Sequence, residues 1–372
     1  MNGLSKRMRG AAKGALFALQ PPARDAFGHI DSSELRGVVL RWPAVLEWTP
    51  AKIWVEPLFR GLSARMQVIV DDIPQRLKGT VVVEFCRGDR VHRVSLNYSD
   101  DPDLVHLGKD DRSSSPLALE FKMQFRNGGY GNDSILPGGF VPGASAFGSA
   151  CIGWYARRAR QLRDRRQFDY DVYGRFGLGF ATEIRTRALQ TLQNQSRVHF
   201  YGGATKVNFR EFLREIAGAR VCLDLPGNGP FCFRLVNYLA VGACVISPPH
   251  GVSMPVPLVD RTHIVYTRPD MSDVLDLCEQ YVNDEAAREA VVSASRDYYR
   301  RNLYWRSLSD YYLRTMLDRL PPATAAASAR DRSPVYRAGH SPAVDAGPGW
   351  QGPPIAPLHA PHDLKGGIAL KN

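Results

Sequence analysis

The sequence predicts an α/β protein, because its second half alternates short apolar runs with helical patterns. The apolar runs are bounded by glycine, proline or asparagine, which is typical of buried strands. Between them lie segments with apolar residues three and four positions apart, typical of one face of a helix. Strands that alternate with helices in this way pair in parallel through right-handed crossovers. Residues 168–319 are therefore predicted to form a Rossmann-like domain.

The segment from Arg220 to Ile246 contains the clearest unit of this alternation. An apolar run, Val221-Cys222-Leu223, precedes a loop of proline, glycine and asparagine at residues 226–230. Behind the loop, Leu235 and Leu239 are one helical turn apart and predict a helix that ends at a glycine. The unpaired N–H groups and partial positive charge at such a helix N-terminus can bind a phosphate. An isolated glycine-rich turn with a surface arginine is the alternative interpretation.

This unit supplies most of the candidate donor-binding residues. Gly227 and Gly229 allow a phosphate to approach the backbone closely, and Asn228 lies between them. Arg234, one turn into the helix, can grip a diphosphate with two N–H donors. Asn237 can hydrogen-bond a ribose or sugar hydroxyl. Arg234 and Asn237 fall on a helix face separate from the leucines, so we expect them to lie outside the core.

The order of these residues resembles the donor-binding segment of GT-B glycosyltransferases, above all the exostosin-like and group 1 families. In those families a strand and a glycine loop lead into an Arg-Leu-x-Glu helix and a Gly-x-x-Val-Ile strand. This chain has Arg234-Leu235 in the helix and Gly242-Ala243-Cys244-Val245-Ile246 after it, and the resemblance covers roughly residues 168–318. Asn237 stands where those families usually have glutamate; its amide forms hydrogen bonds but carries no charge.

The resemblance implies two Rossmann-like domains in a GT-B-like arrangement, of which the second binds a nucleotide sugar. It also implies that Arg175, in the glycine turn after the first strand of that domain, binds the diphosphate; a surface arginine is the alternative. The implied reaction transfers a sugar from this co-substrate to a glycan or lipid-linked acceptor, as in polysaccharide biosynthesis. Arginines and a helix dipole can neutralise the leaving diphosphate, so neither a cofactor nor a metal is expected. In GT-B enzymes the last helix braces the first domain, a role that fits residues 285–318; a plain C-terminal helix is the alternative.

Two further functions stay open. The formal net charge of +11 suits a non-catalytic protein that binds a polyanion, either nucleic acid or an anionic membrane. An inactive relative that binds a nucleotide sugar without transferring it is compatible with Asn237.

An acidic turn follows the predicted strand Val91–Tyr98. Asp100 and Asp101 are the candidate catalytic residues, because inverting transfer needs a carboxylate to accept the proton of the acceptor hydroxyl. Asp101-Pro102-Asp103 also matches the D-x-D pattern that holds a metal-bound diphosphate in another glycosyltransferase architecture. A solvated acidic turn is the alternative.

The first half of the chain is predicted to be an open sheet with few helices. Lys122 alternates along a predicted strand and is expected to face water, although it could steer a phosphate. The predicted strands in this half are Val38–Leu40, Ile53–Val55, Met66–Val70, Thr80–Phe85 and Val91–Tyr98. Leu117–Phe125 contains helix formers but alternates as a strand does, so a strand is favoured and a helix is the alternative.

Composition and charge divide the chain into five predicted segments. They are a flexible basic N-terminus (1–30), an acceptor-side domain (31–150), an arginine-rich linker helix (151–167), the donor-binding domain (168–319) and a disordered tail rich in proline, alanine and glycine (320–372). The linker helix contains six arginines between Arg157 and Arg166. It is predicted to be a solvated face or a patch for anionic lipid headgroups. Nucleic acid is disfavoured because no aromatic residue interleaves the arginines.

The cysteines favour a cytoplasmic protein. None of the six lies in a C-x-x-C pair, which is typical of reduced core thiols rather than a disulfide framework or zinc site. No run of about 18 apolar residues occurs, so we expect no transmembrane helix. The prediction is a cytoplasmic protein, with peripheral membrane contact as the further possibility raised by the arginines.

Overall fold

A computed structural model describes residues 26–46, 51–108, 116–139, 157–165 and 167–322. Most of the predicted N-terminal segment and nearly all of the predicted tail lie outside these ranges. The predicted segment boundaries stay predictions.

The described elements of the first half are seven strands and one helix, and six of the strands form one sheet. They are β1 (Val38–Pro43), α1 (Lys52–Ser63), β2 (Gln67–Asp71), β3 (Thr80–Arg87), β4 (Arg90–Asn97), β5 (Leu117–Lys122), β6 (Phe125–Arg126) and β7 (Ile135–Pro137). The sheet has the order β2-β1-β3-β4-β5-β7, and the short β6 pairs elsewhere with β12 (Val252–Ser253).

This first sheet is mixed rather than parallel throughout. Strand β1 pairs in parallel with β2, and β4 with β5, but β3 is antiparallel to both β1 and β4. Strands β3 and β4 form a hairpin whose turn contains Gly88 at a positive φ of 65°. A Rossmann-like arrangement of this half is therefore not confirmed, although the α/β class is.

The predicted strand Ile53–Val55 is wrong, because these residues lie in α1. Three consecutive β-branched or aromatic residues favour a strand locally. Over a longer window, the buried residues Val55, Leu58 and Leu62 repeat at helical spacing and bury one face of α1. Tertiary burial of that face overrides the local preference.

The second half contains the predicted alternation of strands and helices. Its elements are a helical segment at 157–163 (α2), β8 (Tyr170–Arg175), α3 (Thr182–Gln193), β9 (Phe200–Gly203), α4 (Phe209–Ala217), β10 (Ala219–Leu223), α5 (Phe233–Val241), β11 (Cys244–Ser247), β13 (Val265–Tyr266), α6 (Val274–Asn283), α7 (Glu285–Tyr298), a π-helical turn (Tyr299–Leu303) and α8 (Trp305–Arg319).

The second sheet is parallel, with the order β13-β11-β10-β8-β9. The helices α3, α4 and α5 connect its successive strands, as the alternation predicted. The predicted end of α5 is confirmed, because Gly242 ends the helix with a φ of 76°. At the start of α4, the Asn208 side chain accepts a hydrogen bond from Glu211 N at 2.9 Å and caps the helix.

Helix α8 returns to the first half of the chain and packs on it. The Tyr312 ring stacks on Phe121 of β5 at a centroid distance of 4.1 Å, and its hydroxyl donates to Gly138 O at 2.8 Å. Gly61 of α1 faces Ser309 of α8 at a spacing that leaves no room for a Cβ atom. The last helix thus braces the first sheet, as the resemblance implied.

Candidate functional site

The site lies at the carboxyl edge of the second sheet, where the loops after β8, β10, β11 and β13 emerge. In an open parallel sheet this edge is where ligands bind. Arg175 ends β8, Asp224 follows β10 and Ser247 ends β11. The parallel pairing places these three residues at the same edge.

The loop between β10 and α5, residues 224–232, joins this edge to the first sheet. The Gln124 amide donates to Phe231 O at 2.9 Å and accepts from Phe231 N at 3.0 Å. The Asn228 amide donates to the Asp100 carboxylate at 3.0 Å. The structure thus brings together a predicted donor-loop residue and a predicted catalytic residue, which lie on different sheets.

The two glycines of the loop, Gly227 and Gly229, pack so closely against their neighbours that a side chain would collide with them. A Cβ atom on Gly229 would lie 2.5 Å from Gln124 Nε2 and 2.7 Å from Asp100 O. A Cβ atom on Gly227 would lie 2.7 Å from Cys232 Sγ. Packing against the protein therefore accounts for glycine at both positions. Their contact with a phosphate stays a prediction.

Arg234 lies inside the protein at this edge, with a side chain only 7% exposed. Its Nε donates to Asp224 Oδ1 at 2.9 Å, and its Nη2 donates to Leu225 O. The guanidinium also lies over the Phe176 ring, 5.4 Å from the centroid. Arg234 and Asn237 are expected to lie outside the core, on a helix face separate from the leucines. That expectation is wrong, because every residue of α5 from 234 to 241 is buried.

Asp224 connects Arg234 to a second buried group that the sequence analysis missed. Its Oδ2 has no hydrogen-bond partner among the described residues and lies 3.6 Å from His250 Nε2. The His250 ring lies between Ser247 Oγ and the Tyr266 hydroxyl, each 3.2 Å away. No spacing rule connects Asp224, His250 and Tyr266, since they lie at three different strands of the sheet, β10, β11 and β13.

Arg185 is a second buried guanidinium beside the loop, also missed from the sequence. Its Nε donates to Pro226 O at 2.9 Å and its Nη1 to Gly177 O. Burial lowers the pKa of Arg185, and the positive charge of Arg234 lowers it further. A signal for it existed, because Arg185 shares the helical spacing of the buried residues Ala188 and Leu189 of α3.

Arg175 is engaged away from the loop. Its guanidinium forms a bidentate salt bridge with Glu215, in which Nε donates to Oε2 at 2.8 Å and Nη2 donates to Oε1 at 2.7 Å. Its Nη1 donates to Thr205 O at 3.0 Å. Only its backbone reaches the site, where the carbonyl oxygen accepts from Arg234 at 3.4 Å. A diphosphate would have to compete with Glu215 for this side chain.

Asn237 is fully buried on α5, at 0% exposure. Neither its side-chain oxygen nor its nitrogen has a hydrogen-bond partner among the described residues. A buried amide without partners is destabilising, because it has lost its hydrogen bonds to water. The polar atoms of Asn237 do not reach solvent in this conformation.

The acidic turn after β4 separates its three carboxylates. Asp101 Oδ1 accepts from Asp103 N at 2.9 Å, which closes an Asx turn. Asp103 pairs with Arg126 at 3.1 Å, while Asp100 is exposed and meets Asn228. In the described part of the chain no group of three histidine, cysteine or acidic side chains could hold a metal ion.

Lys122 supports this turn from inside the first sheet. The expectation that it faces water is wrong, since it is 0% exposed. Its Nζ donates to Ser99 O at 3.0 Å and to Asn97 Oδ1 at 3.2 Å. Burial lowers the pKa of Lys122 to about 8, although the nearby Glu120 carboxylate opposes the shift. The ammonium holds the backbone directly before Asp100.

The similarity between this chain and known proteins is weak. No family model matches the chain, and no curated protein matches it. A crystal structure of a glycosyltransferase from Rickettsia africae ESF-5 is similar over 50% of this chain, with 8% identity and a TM-score of 0.33. The match spans 58% of that protein. Similarity at this level does not establish a shared activity.

No helix in the described ranges combines the length and the apolar character needed to cross a bilayer.

Proposed function

We propose that this protein transfers a sugar from a nucleotide-sugar donor to a glycan or lipid-linked acceptor without a metal. The observation that supports the proposal best is the 3.0 Å contact between Asn228 and Asp100. It places the loop that resembles a donor-binding segment beside an exposed carboxylate from the other sheet. Donor and acceptor would meet between the two sheets, with residues 31–150 on the acceptor side and 168–319 on the donor side.

The electrostatics of the loop support binding of a diphosphate. Two buried guanidiniums, Arg185 and Arg234, lie beside it, whereas Asp224 is the only carboxylate paired with either of them in the described residues. Helix α5 begins after Cys232 without a side-chain cap from the described residues, and Leu235 N donates to Cys232 O at 3.1 Å. The preceding N–H groups of Phe233 and Arg234 are the ones that could bind an anion. Fixed donors of this kind stabilise the negative charge that develops on a leaving diphosphate.

Asp100 is the better candidate for the general base. Asp101 is committed to its Asx turn, while the Asp100 carboxylate is exposed and oriented by the Asn228 amide. The acceptor hydroxyl would give its proton to Asp100 as its oxygen attacks the anomeric carbon. The bond from that carbon to the diphosphate oxygen breaks, and the diphosphate leaves with the electron pair. A single displacement of this kind inverts the anomeric configuration.

An inactive nucleotide-sugar-binding protein is the second candidate. It is favoured by Asn237, which stands where the resembled families usually have glutamate and is enclosed by protein. This candidate predicts nucleotide-sugar binding without release of the nucleoside diphosphate.

A thermal-shift screen of nucleoside diphosphates, nucleotide sugars, heparin and DNA tests the proposal. A ligand at a hundredfold excess over its Kd stabilises the folded state by about 2.7 kcal/mol, so a cognate nucleotide raises the Tm measurably. Release of the diphosphate from the nucleotide sugar that binds then separates an enzyme from an inactive relative. The proposal fails when no nucleotide changes the Tm, and stabilisation by heparin or DNA alone would identify a polyanion-binding protein.

A further inference from the structure

The arginine-rich segment contains both buried and exposed arginine side chains. Arg163 is buried, and its Nη1 donates to Ile216 O at 2.9 Å and to Ala219 O, so it fixes α2 to the start of the second sheet. Arg157 and Arg158 are exposed, and Arg160 is half-buried. Arg166 lies outside the described residues. The arginines of the predicted linker helix are therefore not all solvated, since Arg163 lies inside the protein.

Other elements add cations to the outward group. Arg296 of α7 donates to Asp164 at 2.8 Å, which joins α7 to the segment containing α2. Arg300, exposed in the π-helical turn, follows one turn later. Burial lowers the pKa of Arg160, and the positive charges of Arg296, Arg300 and Arg157 lower it further. The four arginines Arg157, Arg160, Arg296 and Arg300 form what we call the basic patch.

The basic patch contains more cations than the described structure neutralises. Asp164 pairs with Arg296, but no described carboxylate lies within 4 Å of the Arg157, Arg160 or Arg300 guanidinium. Guanidiniums that repel one another are stabilised by an anion that contacts several of them. Their planar forks suit phosphate oxygens in particular.

The patch lies at the opposite edge of the second sheet from the candidate donor site. A Cβ atom on Gly242, at the end of α5, would lie 2.7 Å from Arg296 Cδ. Arg234 lies in the first turn of the same nine-residue helix, which is about 13 Å long. The patch and the donor site thus face opposite ends of α5, so one bound phosphate cannot contact both.

We propose that the basic patch binds an anionic membrane surface through lipid headgroup phosphates. Its cations come from two helical segments and two of them, Arg157 and Arg300, are exposed, as contact with a broad surface requires. The neighbouring rings of Tyr299, Tyr304 and Trp305 are buried at 3–6% exposure and cannot stack on bases. Single-stranded nucleic acid uses such stacking, so a bilayer fits the patch better. The proposal is independent of the chemistry at the donor site.

The test is flotation of the full chain with vesicles of phosphatidylcholine alone and of phosphatidylcholine mixed with phosphatidylserine. We expect binding to the mixed vesicles only, weakening with added salt. The double variant Arg157→Gln/Arg300→Gln should bind them about thirtyfold more weakly, which corresponds to about 2 kcal/mol at about 1 kcal/mol per cation. The matched control is Arg187→Gln/Arg268→Gln, which removes two exposed arginines outside the patch.

Four outcomes of the vesicle experiment, and a fifth with DNA, would overturn the proposal. The first three are that the parent does not bind the mixed vesicles, that the patch variant binds them as tightly as the parent, and that the control variant loses as much affinity as the patch variant. The fourth is that millimolar inorganic phosphate fully displaces the parent from the vesicles, which would indicate a site for a free anion. A single-stranded DNA that displaces the vesicles and loses affinity in the patch variant alone would assign the surface to nucleic acid. The Tm of both variants should equal that of the parent, because the substituted side chains are exposed.

Discussion

Arg234 and Asp224 form a buried ion pair at the start of α5, with Nε 2.9 Å from Oδ1 and side-chain exposures of 7% and 0%. Burying a charge costs free energy unless an opposite charge lies beside it. Each residue therefore depends on the other for its place inside the protein. The pair is part of the fold and also borders the loop that we propose binds the donor. A loss of activity on mutating Arg234 therefore needs a stability measurement beside it.

We predict that either single substitution in this pair, Arg234→Gln or Asp224→Asn, lowers the free energy of unfolding by about 3–5 kcal/mol. Each leaves a buried partner uncompensated. The double variant should lose much less than the sum, because no buried charge is then left alone. Urea unfolding of all four proteins measures the coupling, and additive losses would show that the two groups do not depend on each other.

The second prediction concerns Asn237, whose buried amide has no partner in the described residues. Replacing it with leucine, of similar size, should raise the free energy of unfolding by about 1–3 kcal/mol, because the unsatisfied polar group is removed. If the amide serves the donor, Asn237→Leu should also weaken nucleotide-sugar binding. Calorimetry and unfolding on the same preparation separate the two effects. A destabilised Asn237→Leu would mean that the amide has a partner in solution.

The third prediction tests Asp100 as the general base. Asp100→Asn should lower turnover about 10²–10⁴-fold, while donor affinity and Tm stay near the parent values, since the residue is exposed. Asp103→Asn is the control, a neighbouring exposed carboxylate that pairs with Arg126 instead of facing the loop. Comparable losses in the two variants would assign the effect to the turn as a whole.

The contact behind that prediction could not be derived from the sequence. Asp100 and Asn228 are 128 positions apart, and no local pattern connects them. The sequence does predict the strand before one and the glycine loop around the other, because period and turn residues are local signals. It also predicts the parallel second sheet, since strict alternation of strands and helices leaves few topologies.

Burial of charged residues is where sequence reasoning was least reliable. Lys122 alternates along β5 as a water-facing residue would, yet Asn97 and Ser99 solvate its ammonium inside the protein. Arg185 could have been found, because it occupies an apolar helical register. The burial of Lys122 could not have been found in this way. Its partners Asn97 and Ser99 lie at the end of β4, more than 20 positions earlier in the chain, and they become neighbours of Lys122 only when β4 pairs with β5.

The fourth prediction follows from Lys122, whose pKa is lowered to about 8 from 10.5. Between these values the unfolded chain binds a proton that the folded chain does not, so stability contributed through this group rises with pH. The unfolding free energy of the parent minus that of Lys122→Met should rise by about 3 kcal/mol from pH 8 to pH 10.5, at 1.36 kcal/mol per pH unit. The parent therefore gains stability relative to the variant as the pH rises. Urea unfolding at intermediate pH values measures it. A difference independent of pH would show that the lysine keeps its ordinary pKa.

The fifth prediction tests how α8 docks on the first half of the chain. A Cβ atom on Gly61 would lie 2.5 Å from Ser309 Cβ and closer still to Ser309 Oγ. In an exposed helix, glycine to alanine stabilises by about 1 kcal/mol. At this interface Gly61→Ala should instead destabilise by about 1–3 kcal/mol, because overpacking separates α1 from α8. The second variant Gly61→Ala/Ser309→Gly removes the colliding side chain and should recover part of the loss. An unchanged Tm in Gly61→Ala would mean that the two helices are further apart in solution, and the bracing role of α8 would then have to be abandoned.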